Sequence, residues 1–302
     1  SIIADNVHMG RILSNELLGE VSLKADVNAL FKRGGNGMDV SIDSVRVSKL
    51  GFNNYEYSQI YATGKYTEKN FNGSIICHDP NLDFIFQGLF SFGRGARNVY
   101  DFQAYVPYAN LAALNLDKRY QKSELSFTTT AKFTQMSRSY FNGKVSLKNT
   151  HYKNSVGDYK IGTITMQALQ SNNIYTTTLN APFANLLYSG PAPMTDFVKK
   201  LTDLAVLCNT DNFFERDTKT SYNNGNYRFS LETFNTKDVC QAVLPGLYIM
   251  DSTNVRVNID RNNNVNASAR SGRLAYNANY LKNFRLNLTA GENQPASAEI
   301  FS

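Results

Sequence analysis

A chain of 302 residues is long enough for one large domain or two smaller ones, and its 42% apolar and 19% charged content leaves room for abundant Asn, Ser, Thr and Tyr. No stretch reaches the roughly 20 apolar residues of a membrane-spanning helix, and the net charge of +6 comes without a run of more than two Lys or Arg, which reads as a mildly basic solvated surface, with anionic lipid headgroups a better-matched partner than nucleic acid. Three cysteines, Cys77, Cys208 and Cys240, are too few and too scattered for a disulfide framework or a zinc cluster; a Cys208–Cys240 bridge stays open.

The opening SIIADNVHMGRIL has no signal-peptide pattern and starts abruptly, which predicts a piece of a longer protein with any targeting segment outside it. Period-two alternation then takes over. GEVSLKADV sets Val21, Leu23, Ala25 and Val27 on one face, with Ser22, Lys24 and Asp26 on the other. KRGGNG (32–37) lacks the Gly-Lys-Ser/Thr ending of a phosphate loop and reads as a hairpin turn. YEYSQIY (55–61) places tyrosines along a polar β surface. At Cys77-His78, adjacent strand residues point to opposite faces, which disqualifies them as a nucleophile–base pair. FGRGAR (92–97) reads as a basic turn.

Two short elements recur in the same order. FNGSII (71–76) precedes PYANL (107–111), and FNGKVSL (141–147) precedes PFANL (182–186), at separations of 70 and 75 residues. A fixed period marks repeat architectures in which each unit buries its apolar face against the next. Each PxANL follows a strand pattern (VYDFQAYV, NIYTTTLN) and is expected to make one or two helical turns. The repeated unit then reads strand, short helix, further strands.

Further along, LSFTTTAKF sets Leu125, Phe127, Ala131 and Phe133 opposite polar neighbours. MTDFVKKLTDLAVL forms a helix whose stripe carries Met194, Phe197, Val198, Leu201, Leu204 and Ala205, after Pro193 near its start. The polar segment 208–226 is the softest point for a division of the chain. TKDVCQAVLPG predicts a short helix capped by Thr236 and closed by Pro245-Gly246. NVRVNID and NFRLNLTA are amphipathic strands, with NNGN (223–226), RNNN (261–264) and Ser271-Gly272 as turns. Nearly every strand is one-sided, so a parallel sheet buried on both faces is excluded and a meandering antiparallel sheet is expected.

Catalytic signatures are missing from the pattern. His8, His78 and His151 lie far apart, without the spacing of a metal helix or a nucleophile elbow. The chemistry rests with the apolar face. Two facing sheets would make it a sandwich core; one curled sheet would make it a greasy groove suited to acyl chains, at about 0.8 kcal/mol per buried methylene. Alternation alone leaves both open.

The stretch 243–292, VLPGLYIMDSTNVRVNIDRNNNVNASARSGRLAYNANYLKNFRLNLTAGE, together with PYANLAALNLDKR (107–119), resembles the AsmA-like, TamB-type envelope proteins of the Bacteroides group. The resemblance implies a mainly β fold: an elongated, curled antiparallel sheet (a half-pipe, or β-taco) with a few short helices, in place of the β-sandwich. It implies a single domain over 1–302, a periplasmic location, and an inner-membrane anchor outside this segment. The implied partners are phospholipid acyl chains and an outer-membrane barrel assembly partner, with no nucleic acid, no cofactor and no catalytic site. Under that reading Val21, Leu23, Phe127, Val145, Leu147, Phe229, Val257, Ile259, Leu286 and Leu288 line the groove. Val257→Glu is then expected to reduce lipid retention without unfolding the chain. The rival readings are a carbohydrate- or surface-binding sandwich with a tyrosine platform, and a non-lipid envelope scaffold that pairs through its strand edges.

Overall fold

The computed structural model describes residues 1–31, 38–67, 69–91, 97–137, 140–207, 225–291 and 294–301. KRGGNG, Cys208, most of FGRGAR, most of the 208–226 segment, and the side chains of Leu204 and Ala205 lie outside the described residues.

About 70% of the described residues are in strands, so the chain is mainly β. In order the elements are β1 (Ile2–His8), α1 (Met9–Leu13), β2 (Leu18–Phe31), β3 (Met38–Phe52), β4 (Tyr55–Tyr57), β5 (Ile60–Thr67), β6 (Asn70–Asp79), β7 (Leu82–Ser91), β8 (Asn98–Asn110) and β9 (Ser123–Gln135). They continue with β10 (Phe141–Asn154), β11 (Asp158–Ser171), β12 (Ile174–Ala181), β13 (Ala184–Gly190), α2 (Met194–Leu207), β14 (Tyr227–Thr233), α3 (Lys237–Val243) and β15 (Leu247–Ile249). The last are β16 (Asn254–Ile259), β17 (Val265–Tyr276), β18 (Asn279–Gly291) and β19 (Gln294–Phe301). All nineteen strands belong to one antiparallel sheet that does not close into a barrel. The β-sandwich alternative is therefore set aside.

Contacts divide the chain into two compact units. Unit 1 holds Ser1–Gln135 and Val145–Gly162, and unit 2 holds Met136–Lys144 and Thr163–Ser302. The division runs through β10 and β11.

Unit 1 is built from irregular strands. Register shifts interrupt the β1–β2, β2–β3, β3–β5, β7–β8 and β8–β9 ladders. Each extra residue bends its strand and raises the local twist. Gly64, Gly73 and Gly88 sit opposite one another across β5, β6 and β7. Gly64 and Gly88 have φ of 150° and 137°, and a Cβ on Gly73 would lie 2.1 Å from the Thr63 carbonyl oxygen. Only glycine allows that close crossing of three strands, and a row of glycines is where a sheet can bend sharply.

Unit 2 is more regular. Its β12–β13, β13–β14, β14–β16, β16–β17 and β17–β18 ladders run without a bulge. Asn53-Asn54 in unit 1 and Asn172-Asn173 in unit 2 both take positive φ between consecutive strands, the type I′ geometry that matches hairpin twist. RNNN (261–264) is the expected turn: the Asp260 carboxylate accepts from the backbone N–H groups of Asn262 and Asn264.

Several local expectations are corrected. Neither PxANL segment is helical: Pro107–Asn110 complete β8 and residues 111–115 form a turn, while Pro182-Phe183 are the turn between β12 and β13. In both repeats PxANL nonetheless marks the end of the second strand after the one that opens with FNG. Ser271-Gly272 is not a turn but lies inside β17, where Gly272 leaves room for Met250: a Cβ there would lie 2.4 Å from its Sδ. Thr236 does precede α3, yet its hydroxyl donates to the Ile249 carbonyl instead of capping the helix.

Candidate functional site: a half-buried aromatic face

Register resolves the inner face of unit 1 into cross-strand rows. One row reads Leu23, Val47, Ile60, Cys77 and Phe84 across β2, β3, β5, β6 and β7. The next reads Ala25, Val45, Ala62, Ile75, Phe86, Ala104 and Thr129. Beyond the glycine row, Tyr66, Phe71, Phe90, Tyr100 and Phe133 stand side by side on β5 to β9. No charged side chain enters these rows.

The aromatic residues form a connected sheet of rings. Phe86 lies 5.1 Å from Phe102, Phe90 packs edge-on to Tyr100 at 5.0 Å, and Tyr100 stacks on Phe133 at 4.6 Å. Each such pair contributes about 0.5–1.5 kcal/mol beyond its area. Phe71 is buried, but Phe86, Phe90, Tyr100, Phe102 and Phe133 are only half-buried. A second sheet packed on this face would bury such rings almost completely. The rings keep part of their apolar area open to solvent, and among the described residues no helix of unit 1 lies among their ring contacts.

One border of this face is closed. Tyr57, Ala109 and Leu114 form a small core with Leu50, Tyr55, Ile60, Leu82, Val106 and Leu111. The 111–116 turn delivers Leu114, which is 1% exposed. Asp79 ties this border together by accepting from the Tyr55 hydroxyl at 2.5 Å and from the Ser58 and Asn81 backbone N–H groups. Burial raises its pKa, but the hydrogen bonds from Tyr55, Asn81 and Ser58 outweigh that and leave it below the ordinary carboxylate value. Cys77, with no exposure at all, has its thiol pKa pushed up by burial, so it is packing and not a nucleophile. Asp117 accepts from the Arg119 guanidinium at 2.9 Å and from the Tyr152 hydroxyl at 2.7 Å, fixing the turn after Leu114. The Arg119 hydrogen bond leads in lowering its pKa to about 2.

The corresponding face of unit 2 is covered. Helix α2 lays Phe197 onto Tyr188, Tyr227 and Phe229 at ring distances of 5.2, 5.8 and 5.8 Å. Phe197, Tyr188, Tyr227, Val257, Ile259 and Val265 form a closed core, with Met194, Leu201, Phe229 and Leu288 packed against it. Lys200, 4% exposed, donates to the Asn263 side chain at 2.7 Å and lies 4.7 Å above the Tyr227 ring; burial lowers its pKa.

The ten residues expected to line one groove therefore separate. Val21, Leu23 and Phe127 lie in unit 1; Val21 is buried, Leu23 and Phe127 half-buried. Val145 and Leu147 are half-buried in the unit 1 part of β10. Phe229, Val257, Ile259 and Leu288 belong to the core beneath α2, so the expectation that Val257 faces an open groove is corrected. Leu286 stays half-buried in the row Leu179, Leu186, Leu231, Val255, Ala269, Leu286. The rings at Phe86, Phe90, Tyr100 and Phe102 were not among the expected site residues, although LDFIFQGLF and VYDFQAYV place them at every second position or four apart. The tyrosines of YEYSQIY divide likewise: Tyr57 is core, Tyr55 binds Asp79, and Tyr61 is exposed.

Among the described residues no group of three or more His, Cys, Asp or Glu is arranged to hold a metal, and no helix is long and apolar enough to cross a membrane. Comparison with protein-family models, with curated proteins and with solved structures finds no match to this chain.

Proposed function

We propose that this chain is a non-enzymatic lipid-handling segment whose inner apolar face shields phospholipid acyl chains, as part of a periplasmic conduit for outer-membrane lipid transport. The observation that carries the reading is the half-buried aromatic face of unit 1, where Phe86, Phe90, Tyr100, Phe102 and Phe133 present a continuous uncharged surface. Each methylene laid on it and withdrawn from water contributes up to about 0.8 kcal/mol, with low specificity for chain identity. The resemblance to TamB-type envelope proteins supports the same reading, and so does an antiparallel sheet that does not close into a barrel. The inner-membrane anchor and the outer-membrane barrel partner belong to this proposal as parts of the larger assembly.

The test is native mass spectrometry of the purified chain, followed by organic extraction and lipid analysis. Retained phospholipid that is lost in Phe102→Glu but kept in Tyr61→Glu, on an exposed site, supports acyl binding on the inner face. A clean apo mass and no uptake of added lipid would overturn it.

A second reading is favoured by a separate observation. The outermost strands β1 and β19 expose apolar residues on both faces: Ile2 and Ile3 at one edge, Ile300 and Phe301 at the other. Such edges suit pairing with further strands, as a structural scaffold would use them. Strand-pairing without lipid retention would distinguish this role.

A further inference from the structure

The end of unit 2 where β15, β17 and β18 pair carries a surface that the acyl-groove reading does not use. Tyr248, Ala275 and Tyr280 form one cross-strand row. The next row on the same face sets Arg273 directly opposite Lys282, with the Met250 N–H donating to the Arg273 carbonyl. Tyr248, Met250 and Tyr280 are 43%, 44% and 57% exposed, and both cations are exposed. On the opposite face of the same strand pair, Arg270 stands across from Arg285.

This corner breaks two rules of a solvated sheet. Like charges directly opposite one another destabilise a strand pair, and here two such pairs occur within a few residues. Among the described residues neither Arg273 nor Lys282 is in an ion pair. Instead they rest on rings. The Arg273 guanidinium lies 5.7 Å from the Tyr248 ring centre and 5.5 Å from that of Tyr280, and the Lys282 ammonium lies 5.4 Å from Tyr280. Ring contact engages the π face of a guanidinium and leaves its in-plane N–H donors for an anion such as a phosphate. Exposed tyrosines, with an apolar body and a polar tip, are the residues that settle at a membrane–water interface.

We propose that this corner docks the protein on a bilayer surface bearing anionic phospholipid. Arg273 and Lys282 meet headgroup phosphates, while Tyr248 and Tyr280 sit at headgroup depth. The sign of the net charge, +6, favours the same approach at long range. The inference is independent of acyl binding in unit 1, because an apolar groove can fill with or without a docking surface.

The test is co-sedimentation of the full chain with vesicles of phosphatidylcholine alone and of equimolar phosphatidylcholine and phosphatidylglycerol. Binding is expected only to the anionic vesicles and is expected to weaken as salt rises. Arg273→Ala with Lys282→Ala should lower partitioning about 30-fold, about fivefold for each cation removed. Tyr280→Ser should lower it less. The control pair Lys24→Ala and Arg46→Ala, cations opposed across β2 and β3 in unit 1, should leave it within about twofold of the parent. All five substitutions are at exposed positions, and circular dichroism checks that the fold is kept. Equal binding to both vesicle types would overturn the proposal. So would loss of binding in the control pair but not in the Arg273/Lys282 pair, or oligonucleotide binding that tracks Arg273 and Lys282 while vesicles are ignored.

Discussion

The two units use the same alternating strands to opposite ends. In unit 1 bulges and a glycine row bend the ladders, and the aromatic face they carry stays half-buried. In unit 2 the ladders from β12 to β18 keep their register, and α2 closes the face with Phe197 at 1% exposure. The difference teaches that an apolar stripe on a strand does not by itself define a core or a groove. What decides is whether another element lies on it, and here one fourteen-residue helix makes that decision.

The sharpest way to break this comparison is to place a charge on each face. Val257→Glu buries a carboxylate beneath α2 and should destabilise unit 2 by about 4 kcal/mol or more, read as loss of its cooperative transition in denaturant. The equivalent change at Phe102 should leave both transitions in place. Next in size, Phe197→Ala removes the ring that joins Tyr188, Tyr227 and Phe229. It should cost about 3–5 kcal/mol and expose Tyr227 to solvent quenching of tyrosine fluorescence.

Acid should act on the other unit. Asp117 has its pKa depressed from the ordinary 3.8 to about 2. Its contribution is therefore fully present above about pH 4 and is lost as pH falls toward 2, amounting to up to about 2 kcal/mol. Unfolding curves of Asp117→Asn against the parent between those pH values should converge as the pH drops. The smallest expected effect on stability is Phe102→Ala, about 1 kcal/mol, because that ring is only half-buried. Its effect on lipid retention should be much larger than its effect on folding.

The strands were legible because their signal is local. GEVSLKADV, LSFTTTAKF and NFRLNLTA each fall inside a strand, and NVRVNID does so up to Ile259, since an alternation of apolar and polar residues has only one way to bury its apolar half. The helix at Met194 was legible for the same reason with the other period. Punctuation was less so. Pro182 reads as a helix start but sits in a hairpin turn, and Ser271-Gly272 reads as a turn but serves the close approach of Met250. The second depends on a neighbour 22 residues away in sequence. The candidate site was only half legible: Leu23 and Phe127 share unit 1 with the aromatic rings, but nothing near Val257 in the chain announces that Phe197, sixty residues earlier, will cover its core.

The most direct measurement is photocrosslinking with a phospholipid that carries a photoreactive group on its acyl chain, with adducts located by peptide mass spectrometry. The account predicts adducts on β7, β8 and β9, around Phe86, Phe90, Phe102 and Phe133, and none at Val257 or Ile259. Adducts concentrated beneath α2, or spread evenly over exposed surface such as Tyr61 and Tyr105, would contradict it.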